Sequence, residues 1–282
     1  MFNQIVNVFK LRIGVIMAIT ALVALLVTPG RTVSAWEALI LTLAVLLASG
    51  SSGAFNQYYE RDVDRLMKRT KDRPFVTGAF KNDSFWLSVI GLLLVIGVGG
   101  AAILLNGFAA LYVFLGAFFY AIVYTVWLKR RTWWNIVIGG ASGSFAVLAG
   151  AAVVDPNLGP IPILLAIVLF LWTPPHFWSL AIAGREDYAR AGIPMLPVVV
   201  GDQTAANAVF WNAVALTICS VLPFFFGLGW LYLFGAVSGG GYFVYRSYLL
   251  ARNPTRKTAM NSFFASLVQL TVLLVFAVLD IL

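Results

Sequence analysis

Nine long apolar runs divide the chain, and this pattern constrains the fold more than any other feature. Each run approaches the 20 or so mostly apolar residues that a helix needs to cross a bilayer. The predicted spans are residues 13–29, 35–55, 84–105, 107–128, 134–154, 158–182, 205–226, 228–249 and 260–281. Only helices and closed barrels satisfy their backbone hydrogen bonds in lipid, and runs of this length favour helices. We therefore expect an all-α polytopic membrane protein, with residues 1–282 forming one integral-membrane domain.

The composition agrees with lipid as the main solvent. Hydrophobic residues make up 61% of the chain and charged residues 11%, whereas soluble domains have about 25% charged residues. The single cysteine, Cys219, excludes an intrachain disulfide, and no Cys/His cluster has the spacing of zinc ligands. The net charge of +8 does not predict nucleic-acid binding, because a basic excess in a membrane protein follows from its topology.

The basic residues lie almost entirely at one end of the predicted spans. Arg31 is the exception; the other lysines and arginines fall in or beside the amino-terminal segment and the loops 56–83, 129–133, 183–204 and 250–259. Cytoplasmic loops carry an excess of Lys and Arg. We therefore predict that the amino terminus and these loops are cytoplasmic and that nine spans leave the carboxyl terminus outside.

An acidic stripe follows the second span. If the helix continues, Asn56, Glu60 and Asp64 occupy one face at positions i, i+4 and i+8, about 6 Å apart along the axis. Carboxylate oxygens suit Mg²⁺, which often completes its coordination with substrate phosphates. The basic residues Lys68, Arg69, Lys71 and Arg73 come next in the sequence and suit phosphate oxygens. The alternative is a solvated loop whose charges pair locally, for example Asp64 with Lys68.

The sixth predicted span contains the only histidine. His176 directly follows Pro174 and Pro175. This proline pair breaks the hydrogen-bond ladder of the helix because proline lacks a backbone N–H, which a membrane helix tolerates only where its backbone faces protein or a cavity. The histidine could hydrogen-bond a carbonyl that the prolines leave free. It could also ligate an iron atom or act as an acid or base near neutral pH.

A second acidic segment follows that span. Residues 185–191 predict a short helix that Gly192 and Pro194 end. Glu186 and Asp187 within it could complete a metal site opposite the first acidic stripe, since both segments lie at the same end of the spans. They could equally pair with Arg185 and Arg190.

Glycines concentrate in the fifth predicted span. Small residues within a membrane helix allow close packing against its neighbours. We expect this role for Gly139, Gly140, Gly143 and Gly150.

The acidic stripe resembles the first acidic motif of the UbiA-type intramembrane prenyltransferases. Within that family, three stretches are similar to the branch that farnesylates protohaem: NQYYERDVDRLMKRTKDRP, YTVWLKRRTWWNIVIGG, and LWTPPHFWSLAI with the EDYARAGIPMLPVV that follows it. The resemblance implies a nine-helix UbiA-type bundle in a prokaryotic cell membrane. It also implies Mg²⁺-dependent transfer of the farnesyl group of farnesyl diphosphate to the 2-vinyl group of haem b, with water addition to give haem O.

The resemblance assigns roles to individual residues. It implies that Asn56, Glu60, Asp64 and Asp187 are catalytic and hold Mg²⁺, that Arg12, Arg73 and Lys129 bind the diphosphate, and that His176 contacts haem.

Two other functions stay open on the sequence. One is a prenyltransferase for an aromatic or quinone precursor; the other is a haem-binding or transport protein without turnover, whose acidic stripes bind coupling ions. Transporters more often place such groups near the middle of the membrane, whereas these carboxylates cluster at one interface. Beyond membrane lipid and the two substrates, the sequence identifies no protein partner.

Overall fold

A computed structural model describes residues 2–282, which form helices and connecting loops and no β-strand. The helices are α1 (Phe2–Val8), α2 (Leu11–Val27), α3 (Ala35–Tyr59), α4 (Arg61–Asp64), α5 (Pro74–Thr77), α6 (Ser84–Leu104), α7 (Gly107–Phe118), α8 (Asn135–Gly139), α9 (Ala141–Val154), α10 (Pro160–Ala183), α11 (Arg185–Arg190), α12 (Leu196–Val200), α13 (Asp202–Val221), α14 (Trp230–Arg252) and α15 (Arg256–Leu279). A π-helix, Phe119–Leu128, continues α7, and a 3₁₀ helix, Leu222–Phe226, continues α13. The all-α prediction is confirmed.

Seven helical segments within residues 2–282 are long and apolar enough to cross a membrane. Each of the nine predicted spans coincides with helix. The two remaining predicted spans correspond to α2 and α14. Helix α2 is apolar but has only 17 residues, and α14 has 23 residues but is not among the seven segments that are both long and apolar enough. The prediction of a polytopic membrane protein therefore holds, and the count of nine crossings stays a prediction.

Two apolar cores hold the bundle together. One lies among α10, α13, α14 and α15, and the other among α2, α3, α7 and α9. Helices α2 and α9 join the cores, since Val23 and Val147 belong to the first and Ala21 and Ala149 to the second. The close approach of these two helices requires Gly150, where a Cβ atom would collide with the backbone of Ala21. The predicted packing role of this glycine is confirmed.

The outer surface of the bundle is apolar. Large side chains such as Ile103, Val95, Trp211 and Trp230 are more than half exposed. In water this much exposed apolar surface would drive association, so lipid is its natural environment. The chain is an integral membrane protein.

The proline pair lies inside a continuous helix, within the predicted sixth span. Helix α10 runs without interruption from Pro160 to Ala183 through Pro174 and Pro175. Nearby hydroxyl groups donate along the same helix: Thr173 to the carbonyl of Leu169 at 3.0 Å, and Ser179 to that of Pro175 at 2.7 Å. Neither bond reaches the carbonyls of Phe170 and Leu171, which lose their usual backbone donors at the two prolines. The packing of neighbouring helices allows such prolines inside membrane helices.

Candidate active site

The acidic stripe lies where α3 passes into α4. Glu60 leaves the helical conformation, with φ −96° and ψ 11°, so the helix is interrupted for one residue. The hydrogen bonds nevertheless keep their spacing: the Glu60 amide donates to the Asn56 carbonyl at 3.0 Å and the Asp64 amide to the Glu60 carbonyl at 2.8 Å. Asn56, Glu60 and Asp64 therefore stay on one face, as predicted, and all three are buried.

A cation contacts each of these three side chains. Lys129 donates a hydrogen bond to Glu60 Oε2, Arg73 Nη1 lies 2.5 Å from Asp64 Oδ2, and Lys10 Nζ lies 2.6 Å from Asn56 Oδ1. The alternative pairing of Asp64 with Lys68 does not occur. We call these six side chains the ionic cluster: Lys10, Asn56, Glu60, Asp64, Arg73 and Lys129.

The π-helix supplies one side of the ionic cluster. Its wider turn is visible in two i to i−5 bonds: Thr125 Oγ1 donates to the Tyr120 carbonyl at 2.8 Å, and the Lys129 amide donates to the Tyr124 carbonyl at 2.9 Å. The Thr125 hydroxyl in turn accepts from Asn56 Nδ2 at 3.0 Å. Segments of π-helix are rare and frequent at functional sites, and this one aims Thr125 and Lys129 at the acidic stripe.

Lys10 is the member of the ionic cluster that the sequence analysis missed. It lies just before α2 in the left-handed conformation, with φ 47°, which is uncommon for a residue other than glycine. Its Nζ also donates to the Tyr120 hydroxyl at 2.6 Å. Gly53 makes room for it, because a Cβ there would lie 3.3 Å from both Lys10 Cβ and the Phe9 carbonyl oxygen. The only sequence signal for a role of Lys10 in the site was its position just before the first predicted span.

The electrostatics of the ionic cluster favour an anion. Burial holds the pKa of Lys10 well below its ordinary value, and the positive charges of Arg73 and Lys129 lower it further. Three basic side chains face only two carboxylates, since Asn56 is neutral. A bound anion would relieve the repulsion among the cations.

The acidic stripe also fits a hard cation. No group of three or more His, Cys, Asp or Glu side chains suited to a metal occurs within residues 2–282, so an amide oxygen must serve beside the two carboxylates. Glu60 Oε1 is buried without a hydrogen-bond partner in the described chain. Two carboxylates and an amide are oxygen donors of the kind that Mg²⁺ accepts.

The two predicted acidic segments meet through an apolar cluster. Val63 and Met67, beside the acidic stripe, pack with Tyr188, Ile193 and Met195 of the second segment. The short helix α11 forms as predicted. Asp187 lies 3.2 Å from Arg190, in the local ion pair that we considered as the alternative, and Glu186 is exposed. The segments are thus brought together, while Asp187 makes no bond to the ionic cluster.

Arg12 lies apart from the ionic cluster. Its side chain is exposed and makes no hydrogen bond or ion pair within residues 2–282. Lys10, which precedes α2 in the left-handed conformation, contacts Asn56 instead.

His176 is buried against α15 rather than beside the acidic stripe. Its ring stacks between Trp172 and Phe263, with centroid distances of 4.2 and 4.4 Å. Its Nδ1 lies 2.7 Å from the Ser266 hydroxyl, which donates to the Phe263 carbonyl at 2.6 Å. Since that hydroxyl has one proton, Nδ1 must be the donor to Ser266. The neutral ring then has its lone pair on Nε2, which makes no hydrogen bond in the described chain.

The sequence matches known proteins over almost its whole length. Residues 17–268 match the profile described as the UbiA prenyltransferase family. Protoheme IX farnesyltransferase 2 of Paramagnetospirillum magneticum is 57% identical over 95% of this chain and 93% of its own length. Protoheme IX farnesyltransferase 1 of the same organism is 45% identical over 97% and 96%.

Solved structures share the fold at lower identity. An apo UbiA homologue from Aeropyrum pernix has a TM-score of 0.77 and 22% identity, covering 96% of this chain and 99% of its own. A UbiA homologue from Archaeoglobus fulgidus, solved with DMAPP and Mg²⁺, has a TM-score of 0.72 and 16% identity over 96% and 99%. The predicted UbiA-type architecture is confirmed.

Proposed function

This chain belongs to the UbiA prenyltransferase family and, within it, to the protoheme IX farnesyltransferases, and from this premise we propose that it makes haem O. The farnesyl C1–O bond of farnesyl diphosphate breaks and C1 joins the terminal carbon of the 2-vinyl group of haem b. Water adds its hydroxyl to the other vinyl carbon, and a proton leaves. The observation that supports this reaction best is the ionic cluster, in which buried oxygen ligands and cations meet at one end of an apolar bundle.

The ionic cluster would bind the diphosphate end of the substrate. Arg73 and Lys129 would hold its oxygens by charge-assisted hydrogen bonds, and Lys10 would join them. Asn56, Glu60 and Asp64 would hold Mg²⁺, which when bound supplies positive charge that stabilises the departing diphosphate.

The roles of Asp187 and Arg12 stay predictions. Asp187 would contribute a carboxylate from the second acidic segment, which packs against the first through Met67 and Ile193. The diphosphate role of Arg12 rests on the resemblance alone, whereas Lys10 has the contact with Asn56.

His176 is our candidate for the haem contact. A histidine that ligates a metal commonly donates its other ring N–H to a fixed acceptor, which sets the tautomer. Ser266 is such an acceptor for Nδ1, and it leaves Nε2 as the nitrogen that can reach iron.

The placement in the cell follows from the charge pattern. We propose a prokaryotic cell membrane, with the amino terminus and both acidic segments in the cytoplasm and the carboxyl terminus outside. All basic residues except Arg31 lie near the cytoplasmic end in this orientation, as the positive-inside rule requires. The whole chain would act as one domain.

The test is to incubate the purified protein with haem b, farnesyl diphosphate and Mg²⁺ and analyse the haem by mass spectrometry. The expected product is haem carrying a hydroxyethylfarnesyl group. Asp64→Asn is the matched inactive control. Prenylation of an aromatic or quinone precursor instead, or haem binding without any product while a known protoheme IX farnesyltransferase turns over, would contradict the proposal.

A further inference from the structure

The three basic side chains of the ionic cluster and its three proposed metal ligands pair one to one. Lys129 contacts Glu60, Arg73 contacts Asp64 and Lys10 contacts Asn56. The cations come from three separate parts of the chain: the segment before α2, the segment before α5 and the end of the π-helix. Such complete pairing of one set with the other does not follow from their neighbourhood in sequence.

The pairing leaves few oxygens open to a metal. Glu60 Oε2 accepts from both Lys129 and the Asn56 amide, and Asn56 Oδ1 accepts from Lys10. Two side-chain oxygens of these residues accept no hydrogen bond in the described chain: Glu60 Oε1, which is buried, and Asp64 Oδ1. A divalent cation entering alone would meet only these two open oxygens, beside three basic side chains.

A bound diphosphate would compete with the acidic stripe for these three cations. Its oxygens offer Lys10, Arg73 and Lys129 other partners, and release of the acidic stripe from these cations frees its oxygens for a metal. Each ligand thus removes an obstacle to the other, which is the physical basis of positive coupling between two binding events.

We propose that the three cations hold the metal ligands in the substrate-free protein, so that divalent metal and diphosphate bind together and only weakly apart. This inference rests on the proposed function, because it assigns a metal and a diphosphate to the ionic cluster. It adds that Lys10 is one of the cations that would move from a metal ligand to the diphosphate. It also adds that, without diphosphate, these cations hinder the binding of metal.

The test measures metal binding directly, with no turnover. Mn²⁺ is titrated into the detergent-solubilised protein and followed by electron paramagnetic resonance, with and without inorganic diphosphate. The spectrum of the Mn²⁺–diphosphate complex in buffer is the reference that is subtracted. We expect diphosphate to raise the affinity of the protein for Mn²⁺ by about 10-fold or more, within the usual range of coupling between sites.

Two variants test the exchange itself. Lys10→Met and Lys129→Met each remove one competing cation, so Mn²⁺ alone should bind more tightly and the enhancement by diphosphate should shrink. Arg131→Met is the matched control: Arg131 is an exposed cation two residues after Lys129, and its loss should leave both affinities unchanged. Equal Mn²⁺ affinity of the wild type with and without diphosphate would overturn the inference, and so would equal effects of Lys129→Met and Arg131→Met.

The outcomes separate this inference from the proposed function. If haem O forms but Mn²⁺ binds equally with and without diphosphate, the exchange of partners is wrong and the function stands. If the coupling is present and no farnesylated haem forms, the exchange stands and the assigned reaction is wrong. The wild-type titration needs no variant to fold.

Discussion

Lys129 donates a hydrogen bond to Glu60, and this ion pair joins the end of the π-helix to the interruption between α3 and α4. Glu60 is 0% exposed and the Lys129 side chain 12%. Breaking a buried pair by removing one partner leaves an uncompensated charge, which costs about 3–5 kcal/mol. The pair therefore holds the two sides of the ionic cluster together as well as serving the proposed chemistry.

We predict that Lys129→Met lowers the free energy of unfolding by about 3–5 kcal/mol, measured by denaturant unfolding in detergent. The double variant Glu60→Gln/Lys129→Met should recover much of this loss, since it buries no charge. Additive losses from the two substitutions would show that the residues do not interact. Both variants should lack farnesyl transfer.

We predict that Asp64→Asn lowers kcat at least about 100-fold, equivalent to about 2.7 kcal/mol of barrier, while the protein stays folded in detergent. The substitution keeps the shape of the side chain but removes the charge that Arg73 and the metal would contact. Asp62→Asn is the matched control two residues earlier, and it should retain turnover. Full activity of Asp64→Asn would refute its metal role.

Asp62, the control residue, should also affect the stability of the fold in a pH-dependent way. The Arg130 guanidinium lowers the pKa of Asp62, a side chain that is 62% exposed. A depressed pKa means that the pair stabilises the fold above the ordinary pKa of Asp62 and loses this effect as the pH falls through the lowered value. Solvent screening limits the contribution to about 1 kcal/mol. Asp62→Asn should thus change the unfolding free energy by no more than that at pH 7 and not at all in strong acid.

Asp187→Asn should raise the Mg²⁺ concentration that gives half-maximal turnover, if Asp187 supplies a carboxylate to the metal. Glu186→Gln is the matched control, because Glu186 is the exposed neighbour on the same short helix. Turnover is measured against Mg²⁺ concentration for both variants. Identical curves would leave Asp187 with only its ion pair to Arg190.

His176→Ala should change the absorption spectrum of added haem, and Ser266→Ala should weaken haem binding because the ring loses the acceptor that fixes its tautomer. Ser220→Ala is the control, since Ser220 is a buried serine that donates to the Leu216 carbonyl of its own helix. A wild-type spectrum for His176→Ala would remove His176 as an iron ligand.

Gly150→Ala should destabilise the protein by about 1–3 kcal/mol or prevent folding, because the added methyl group collides with the backbone of α2 at Ala21. Gly143→Ala is the matched control on the same helix, where the nearest atom, Leu169 Cγ, lies 3.7 Å from the added Cβ. The yield of folded protein and its unfolding temperature in detergent compare the two. Equal stability would mean that α2 and α9 can separate freely.

Local rules were enough to predict the helices and the acidic stripe. The spacing of Asn56, Glu60 and Asp64 places them on one face because each amide still bonds to the carbonyl four residues earlier, even across the interruption at Glu60. Hydropathy also placed Pro174 and Pro175 inside the sixth span, and α10 runs through both. The helices that pack against α10, among them α13 and α15, are not visible in the local sequence.

The sequence alone determined that this protein lies in a membrane, that it is helical and which oxygen ligands share a face, because hydropathy and helical period act over short distances. Only the tertiary structure decided which cation meets which ligand. Lys10 rather than Arg12 contacts Asn56, and a π-helix aims Lys129 at Glu60. These pairs join residues 46 and 69 positions apart in the chain, so they depend on how the helices pack.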